Sequence, residues 1–148
     1  MAHTKSARKA RNNALWTALF NNDTEQAQAL IAQGANVNAR IDTPEVPILS
    51  LAVRRATPEA VRVLLTRGAD TTARDGWGRT PLMLAVCRDD ENLEWTRTIC
   101  QMLLEHGADP HASDAQSNTV LTYATDLTSQ PDFVTVQMIT VHNLSTTK

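Results

Sequence analysis

The sequence predicts an all-α fold in which one helix pair is repeated four times and stacked. Two sets of phrases carry that prediction, and the composition supports it. The first set is LIAQGANVNAR (30–40), LLTRGADTTAR (64–74) and LLEHGADPHAS (103–113). The second is NALWTALF (13–20), PILSLAV (47–53), TPLMLAV (80–86) and TVLTYAT (119–125). Aromatic residues make up only 4% of the 148. A core made mainly of Leu, Val, Ile and Ala favours packed helices over a β-sandwich. The length is that of a single domain.

The second set of phrases marks the first helix of each unit. Leu15, Leu49, Leu82 and Leu121 share one position, and Ala18, Ala52, Ala85 and Ala124 share another. A small residue at a fixed place lets the neighbouring helix come close. In the third unit Thr80 is a good N-cap and Pro81 a good first helical residue. Asp42, Asp75 and Asp114 each stand five residues before that cap position, in the turn that leads into the helix. Trp16 is expected in the core or at the edge of the stack.

The first set marks the second helix of each unit and its stop. Ala27, Leu30 and Ile31, then Val61, Leu64 and Leu65, then Cys100, Leu103 and Leu104 fall at i, i+3, i+4 spacing. Each stripe ends at a glycine (Gly34, Gly68, Gly107), the residue type that tolerates the left-handed position after a helix. One such pair cannot cover its own apolar face. Stacked pairs can, with contacts only between neighbours.

The units fall at 12–40, 41–73, 74–112 and 113–142, after a basic segment at 1–11 and before a polar tail at 143–148. The basic segment carries Lys5, Arg8, Lys9 and Arg11 with no apolar stretch behind them. That argues for a solvated helix start or tail and against a secretory signal. The third unit has 22 residues from Ala85 to Gly107, against 16 from Ala52 to Gly68, so six extra residues lie within CRDDENLEWTRT (87–98). Asp89, Asp90, Glu91 and Glu94 there lack the spacing and glycine of a calcium loop, and a solvated extended loop is expected. FVTVQMITV (133–141) alternates almost as a strand does, but its context predicts a terminal helix.

The third unit, DGWGRTPLMLAV followed by LLEHGADPHA, resembles the ankyrin repeat. The resemblance covers residues 12–142 as four repeats, the last degenerate. It implies a solenoid of antiparallel helix pairs with short β-hairpin fingers projecting at right angles. The departures also carry expectations. Glu45 and Pro47 replace Gly78 and Thr80 in the second unit, and Ser117 and Val120 replace Gly78 and Pro81 in the fourth. The sequence therefore specifies the geometry of those two turns less fully. Met83 stands where the family usually has His, so the hydrogen-bond bracing of that His is expected to be lost.

The residue pattern argues against an enzyme and against a bound metal or cofactor. His3, His106, His111 and His142 are scattered over separate elements. DGWGRT lacks the Lys and Ser/Thr of a phosphate loop, and there is no Ser elbow or His-Glu-x-x-His. Cys87 and Cys100 have no metal spacing and suit a reducing compartment, so a cytoplasmic location is expected. Cys100 shares the core position of Val61, and Cys87 lies at the end of a first helix. No stretch is long and apolar enough to span a membrane.

In the family, partners bind finger tips and the ends of first helices. Carried over position by position, this implies a surface on Thr43, Pro44 and Val46 of the second finger. Gly76, Trp77 and Arg79 follow from the third, and Ala115, Gln116 and Asn118 from the fourth. The first-helix ends supply Phe20 and Asn21, Arg54 and Arg55, then Cys87 and Arg88. Arg40 and Arg74 enter the fingers, and Trp95 lies in the insertion. Six arginines thus fall on or near one face of a chain whose net charge is −2. The expected partner is a protein with an acidic surface, held by a stand-alone inhibitor, adaptor or regulatory subunit. The alternative is nucleic acid, or a nucleoprotein complex, on the same Arg-rich face. A bacterial or viral antagonist of a host factor falls within that range.

Overall fold

The computed structural model describes residues 2–41, 45–88, 92–126 and 133–145. Helices α1 (Ala2–Phe20) and α2 (Thr24–Ala32) form the first pair, and α3 (Ile48–Arg55) and α4 (Pro58–Thr66) the second. Helices α5 (Pro81–Val86) and α6 (Leu93–Glu105) form the third, α7 (Val120–Asp126) and α8 (Phe133–Ser145) the fourth. Helices α1, α3, α5 and α7 touch in succession along one row, and α2, α4, α6 and α8 along the other. Between them runs one apolar core. Leu15, Leu49, Leu82, Ala52 and Ala85 of the first row meet Val61, Leu64, Cys100 and Leu103 of the second, all essentially inaccessible. Among the described residues no helix is long and apolar enough to cross a membrane.

Each helix boundary has a local cause. The side chains of Asp23, Thr57, Thr80 and Asn92 accept the N–H three residues on and so cap α2, α4, α5 and α6. At the other end, the N–H groups of Gly34, Gly68 and Gly107 donate to the carbonyls of Ile31, Leu65 and Leu104. The next N–H groups, of Ala35, Ala69 and Ala108, reach back to Leu30, Leu64 and Leu103. This double closure needs a left-handed residue, and the glycines have φ of 94°, 83° and 87°. Helix α1 stops in the same way on Asn22, at φ 58°.

The turns after these stops are held by asparagine side chains. The Asn36 N–H donates to Asn12 Oδ1 of α1 in the same unit (2.9 Å), and the Asp70 N–H to Asn38 Oδ1 of the preceding unit (2.7 Å).

The fingers differ in how much ladder they form. Strands β1 (Arg40–Ile41) and β2 (Val46–Pro47) pair antiparallel, Arg40 opposite Pro47. The fourth finger keeps a single bridge, Ser113 to Thr119. The third has no ladder; its turn closes on the Asp75 N–H to Arg79 carbonyl bond (3.1 Å) and the Gly78 N–H to Asp75 carbonyl bond (3.0 Å).

Several expectations change in detail. Helix α1 is continuous from Ala2, so residues 2–11 belong to the helix of the first unit. The insertion is not simply an extended loop. Helix α6 has 13 residues against 9 in α4, so four of the six extra residues lengthen the helix, and Glu94 sits in its first turn. Asp89, Asp90 and Glu91 lie outside the described residues. The fourth finger keeps the turn of the third, with Ser117 at φ 66° where Gly78 has 76°.

The bracing expected to be lost at Met83 is retained by sulfur. The Thr80 N–H donates to Met83 Sδ at 3.4 Å, while Thr80 Oγ1 accepts from the Met83 N–H. The segment 133–141 is helical despite its alternation, because α8 packs on α6 and α7 and buries Ile139 completely. The same helix continues to Ser145, into the segment read as a tail.

Candidate interaction surface

Two aspartates build the third and fourth finger turns. Asp75 Oδ1 accepts the N–H groups of Trp77 (3.0 Å) and Arg79 (2.9 Å). Asp114 Oδ1 accepts those of Gln116 (2.8 Å) and Asn118 (2.9 Å). This anchoring fixes the tip residues 76–77 and 115–116 as outward-facing corners. Trp77 is 60% exposed there, while the Ala115 N–H of the fourth finger donates to its carbonyl. Its ring lies against the Arg79 guanidinium of its own finger, and its backbone is bonded to the next finger.

The arginines of this face are placed for different tasks. Arg40 donates to the Glu45 carbonyl and, across to the third finger, to the Arg74 carbonyl at 3.1 Å. Arg74 repeats the pattern, donating to the Gly78 carbonyl (2.7 Å) and to Ser113 of the fourth finger (2.5 Å). Arg79 pairs with Asp75 Oδ2 through Nε and Nη2, both at 2.8 Å, and its guanidinium lies 4.7 Å from the centre of the Trp77 ring. Arg88 donates to the Val53 carbonyl at 2.6 Å and stands 5.7 Å from the Trp95 ring. Arg54 is half-buried and Arg55 exposed, both in the last turn of α3. Backbone carbonyls carry no formal charge, so these contacts leave the charges of Arg40 and Arg74 in place. Arg79 is matched by Asp75.

At the end of α1, Phe20 is 54% exposed and packs on Trp16, ring centres 5.6 Å apart, beside exposed Asn21. Val46 is half-buried in β2. Thr43 and Pro44 lie outside the described residues. Trp95 is half-buried at the start of α6, and Cys87 caps the end of α5.

The structure gathers part of this set around one groove. A cavity of 620 Å³ opens between the third and fourth fingers, lined by Arg54, Gly76, Trp77, Arg79, Asp114, Ala115, Gln116 and Tyr123. Tyr123 is the member that the sequence reading missed. It occupies the position of Leu51 and Leu84 in the other units, and a hydroxyl at a leucine position was the available signal. Its OH donates to Asp114 Oδ2 at 2.6 Å. That bond, above all, holds the Asp114 carboxyl down at about 2. Burial, with the neighbouring carboxylate, pushes the Tyr123 phenol up to about 12. Among the described residues no group of His, Cys, Asp or Glu side chains could hold a metal ion. His106 instead closes its own helix, its ring Nδ1 2.7 Å from the Met102 carbonyl.

Known proteins give the same answer as the fold. The family described as ankyrin repeats in three copies matches residues 49–136, and a single ankyrin repeat matches residues 11–42. The mouse ankyrin repeat and SOCS box protein 6 is 33% identical over 123 residues, covering 83% of this chain and 28% of that protein. A putative ankyrin repeat protein of Acanthamoeba polyphaga mimivirus is 30% identical, covering 78% of this chain and 67% of its own length. The Drosophila melanogaster neurogenic locus Notch protein is 44% identical over 72 residues, 47% of this chain and 3% of that protein. The chain thus spans a small part of the longer relatives it matches. Repeated helix pairs, glycine stops and finger turns, together with these matches, place the chain in the ankyrin repeat family, a protein–protein interaction fold.

Proposed function

We propose that this chain acts by covering an acidic surface of a protein partner with its finger tips and first-helix ends, as an inhibitor, adaptor or regulatory subunit. The observation that carries the reading is Trp77, held 60% exposed at a finger corner by the Asp75 turn. Folding gains little from an indole left in water, whereas the same side chain at an interface centre is a frequent hot spot. Arg40, Arg54, Arg55, Arg74 and Arg88 supply positive potential around it. Arg79 contributes as a shelf under the ring more than as a charge, because Asp75 already matches it.

The test is affinity capture from the cell of origin with the wild-type chain and with Trp77→Ala/Arg55→Ala, both exposed positions. Nuclease treatment before capture separates a protein partner from nucleic acid on the same face. A partner that resists nuclease and is lost with the double variant supports the reading. A variant that is folded and keeps every partner at unchanged affinity overturns the choice of face.

A further inference from the structure

Helix α1 runs on past the stack, and folding explains this overhang least of all. Every residue from Thr4 to Ala10 is exposed, so the stretch gains little from packing. Its charges work against it. Lys5 and Lys9 stand at i, i+4, and Lys5 with Arg8 and Arg8 with Arg11 at i, i+3, where like charges repel. Lys5 also lies in the first turn, where the helix dipole is itself positive. Among the described residues none of the four makes a side-chain hydrogen bond or ion pair. The Arg11 head only rests against the turn after α2, with Nη1 3.5 Å from where a Gly34 Cβ would stand.

The neighbouring carboxylates do not answer these cations. No Asp or Glu precedes Asp23. The elements chiefly packed on α1 are α2, α3, α4 and β1, and α3 and β1 have no acid. The acids of the other two stand at the opposite end of α1. Asp23 caps α2, its N–H bonded to the Ala18 carbonyl, and Glu25 follows it. Thr57, the cap of α4, bonds to Asn22, and Glu59 follows it. From Arg11 to Asn22 is about 16 Å of helix, beyond the Debye length of about 10 Å at 0.1 M salt. In the second unit, Asp70 Oδ1 is taken by the Thr72 N–H and hydroxyl, and Glu45 stands beside Arg40. Asp42 lies outside the described residues.

The arrangement selects among acidic partners. Alanine is the only apolar type from Thr4 to Ala10, so the overhang offers a protein groove no large anchor. Arg8 and Arg11 stand seven and four residues before Leu15, which is fully buried with Leu19. They therefore continue the side of α1 that faces the stack. A flat bilayer meets surfaces that protrude, and the stack itself holds it off this side. No aromatic ring precedes Trp16 to stack on an unpaired base. A duplex remains. The major groove of B-form DNA is about 12 Å wide and admits an α-helix, whereas that of A-form RNA is too narrow. Lys9 and Arg11, roughly 160° apart around the helix, suit its two walls.

We infer that the overhang of α1 grips a DNA duplex by its phosphates, on Lys5, Arg8, Lys9 and Arg11, without regard to base sequence. The site is separate from the finger face, so its failure leaves the protein-binding reading untouched.

The test is fluorescence anisotropy of a labelled DNA duplex of about 20 base pairs, titrated with the full chain between about 50 and 200 mM KCl. Neutralising three to four phosphates predicts that affinity falls about 40- to 150-fold over that range, equally for unrelated sequences. Lys5→Ala/Arg8→Ala/Lys9→Ala should remove most of the binding and most of its salt dependence. Its helix content and thermal melt should be unchanged or raised, because alanine is the best helix former. Arg8→Lys keeps the charge and should stay within about twofold of the wild type. A triple variant that binds as the wild type does, or loss of binding in Arg40→Ala/Arg55→Ala instead, overturns the overhang as the site. Capture by vesicles of acidic phospholipid at a salt concentration that has released the duplex overturns the choice of DNA. No binding at the lowest salt overturns the inference outright.

Discussion

Ser50 Oγ is buried with no hydrogen-bond partner among the described residues, and Pro47, three positions earlier, is the reason. In the third unit the Thr80 N–H donates to Met83 Sδ, and in the fourth the Thr119 N–H donates to Thr122 Oγ1 at 3.2 Å. Ser50 stands in the same register, but proline has no N–H to give. A buried hydroxyl left without a partner costs about 1–3 kcal/mol. Ser50→Ala should therefore leave stability unchanged or raise it by about 1 kcal/mol, read by urea unfolding. With Pro47→Thr present, the same change should become destabilising. A clear loss in the wild-type background would contradict this account.

Gly78 and Ser117 share a left-handed turn but not its surroundings. Gly78→Ala meets both the backbone strain and the Ala115 nitrogen, so a loss of about 2 kcal/mol or more is expected. Ser117 is exposed, so only its backbone is strained. Ser117→Gly should stabilise by up to about 1 kcal/mol. Denaturant midpoints measured side by side check the contrast. A Gly78→Ala loss no larger than the Ser117→Gly gain would remove the role given to Ala115.

The Tyr123–Asp114 bond makes stability depend on pH at both extremes. The Asp114 carboxyl titrates near 3.8 in an unfolded chain and at about 2 in the folded one. Its contribution is complete above the higher value and is lost as pH falls through the lower. The Tyr123 phenol moves the other way, from 10.0 to about 12, so stability declines as pH rises through that window. Tyr123→Phe should shift the Asp114 titration upward, visible by carboxyl NMR, and flatten the alkaline decline. An Asp114 titration unmoved by Tyr123→Phe would assign the depression to the Gln116 and Asn118 donors alone.

Arg79 and Arg55 should respond differently to truncation. Arg79 covers an Asp75 carboxylate whose side chain is 2% exposed. Arg79→Ala leaves that carboxylate with only its two backbone donors, and a loss of roughly 1–3 kcal/mol is expected. Arg55 is exposed at a helix end, and Arg55→Ala should stay within about 0.5 kcal/mol. Thermal melts of the two variants provide the comparison, and similar losses would mean that the Asp75 pair adds nothing to the turn.

Most of the stack was legible because repetition multiplies a weak local signal. The Leu-Leu/Ile-x-x-Gly-Ala phrase encodes a helix stop by itself, and three occurrences align the units. The finger turns were legible through Asp75 and Asp114, whose side chains act within four residues. What escaped was anything that depends on two units at once. The Arg40 and Arg74 bridges span 34 and 39 positions, and nothing in one repeat says that an arginine will end on the next repeat's carbonyl. The lengthened α6 was hidden because a helix extension and a loop add the same number of letters. Tyr123 was passed over because its partner Asp114 stands nine residues back in the same unit, and only the folded finger brings the two together.

The hydrogen bond between the first two turns bears on how such a chain can change length. Asn38 of the first unit serves the Asp70 N–H of the second, whereas Asn12 serves Asn36 within one unit. In the second unit Thr72 stands in the register of Asn38, and its shorter side chain is turned onto Asp70 Oδ1. A unit inserted or removed at the first boundary therefore keeps this link only where an asparagine again precedes the donor.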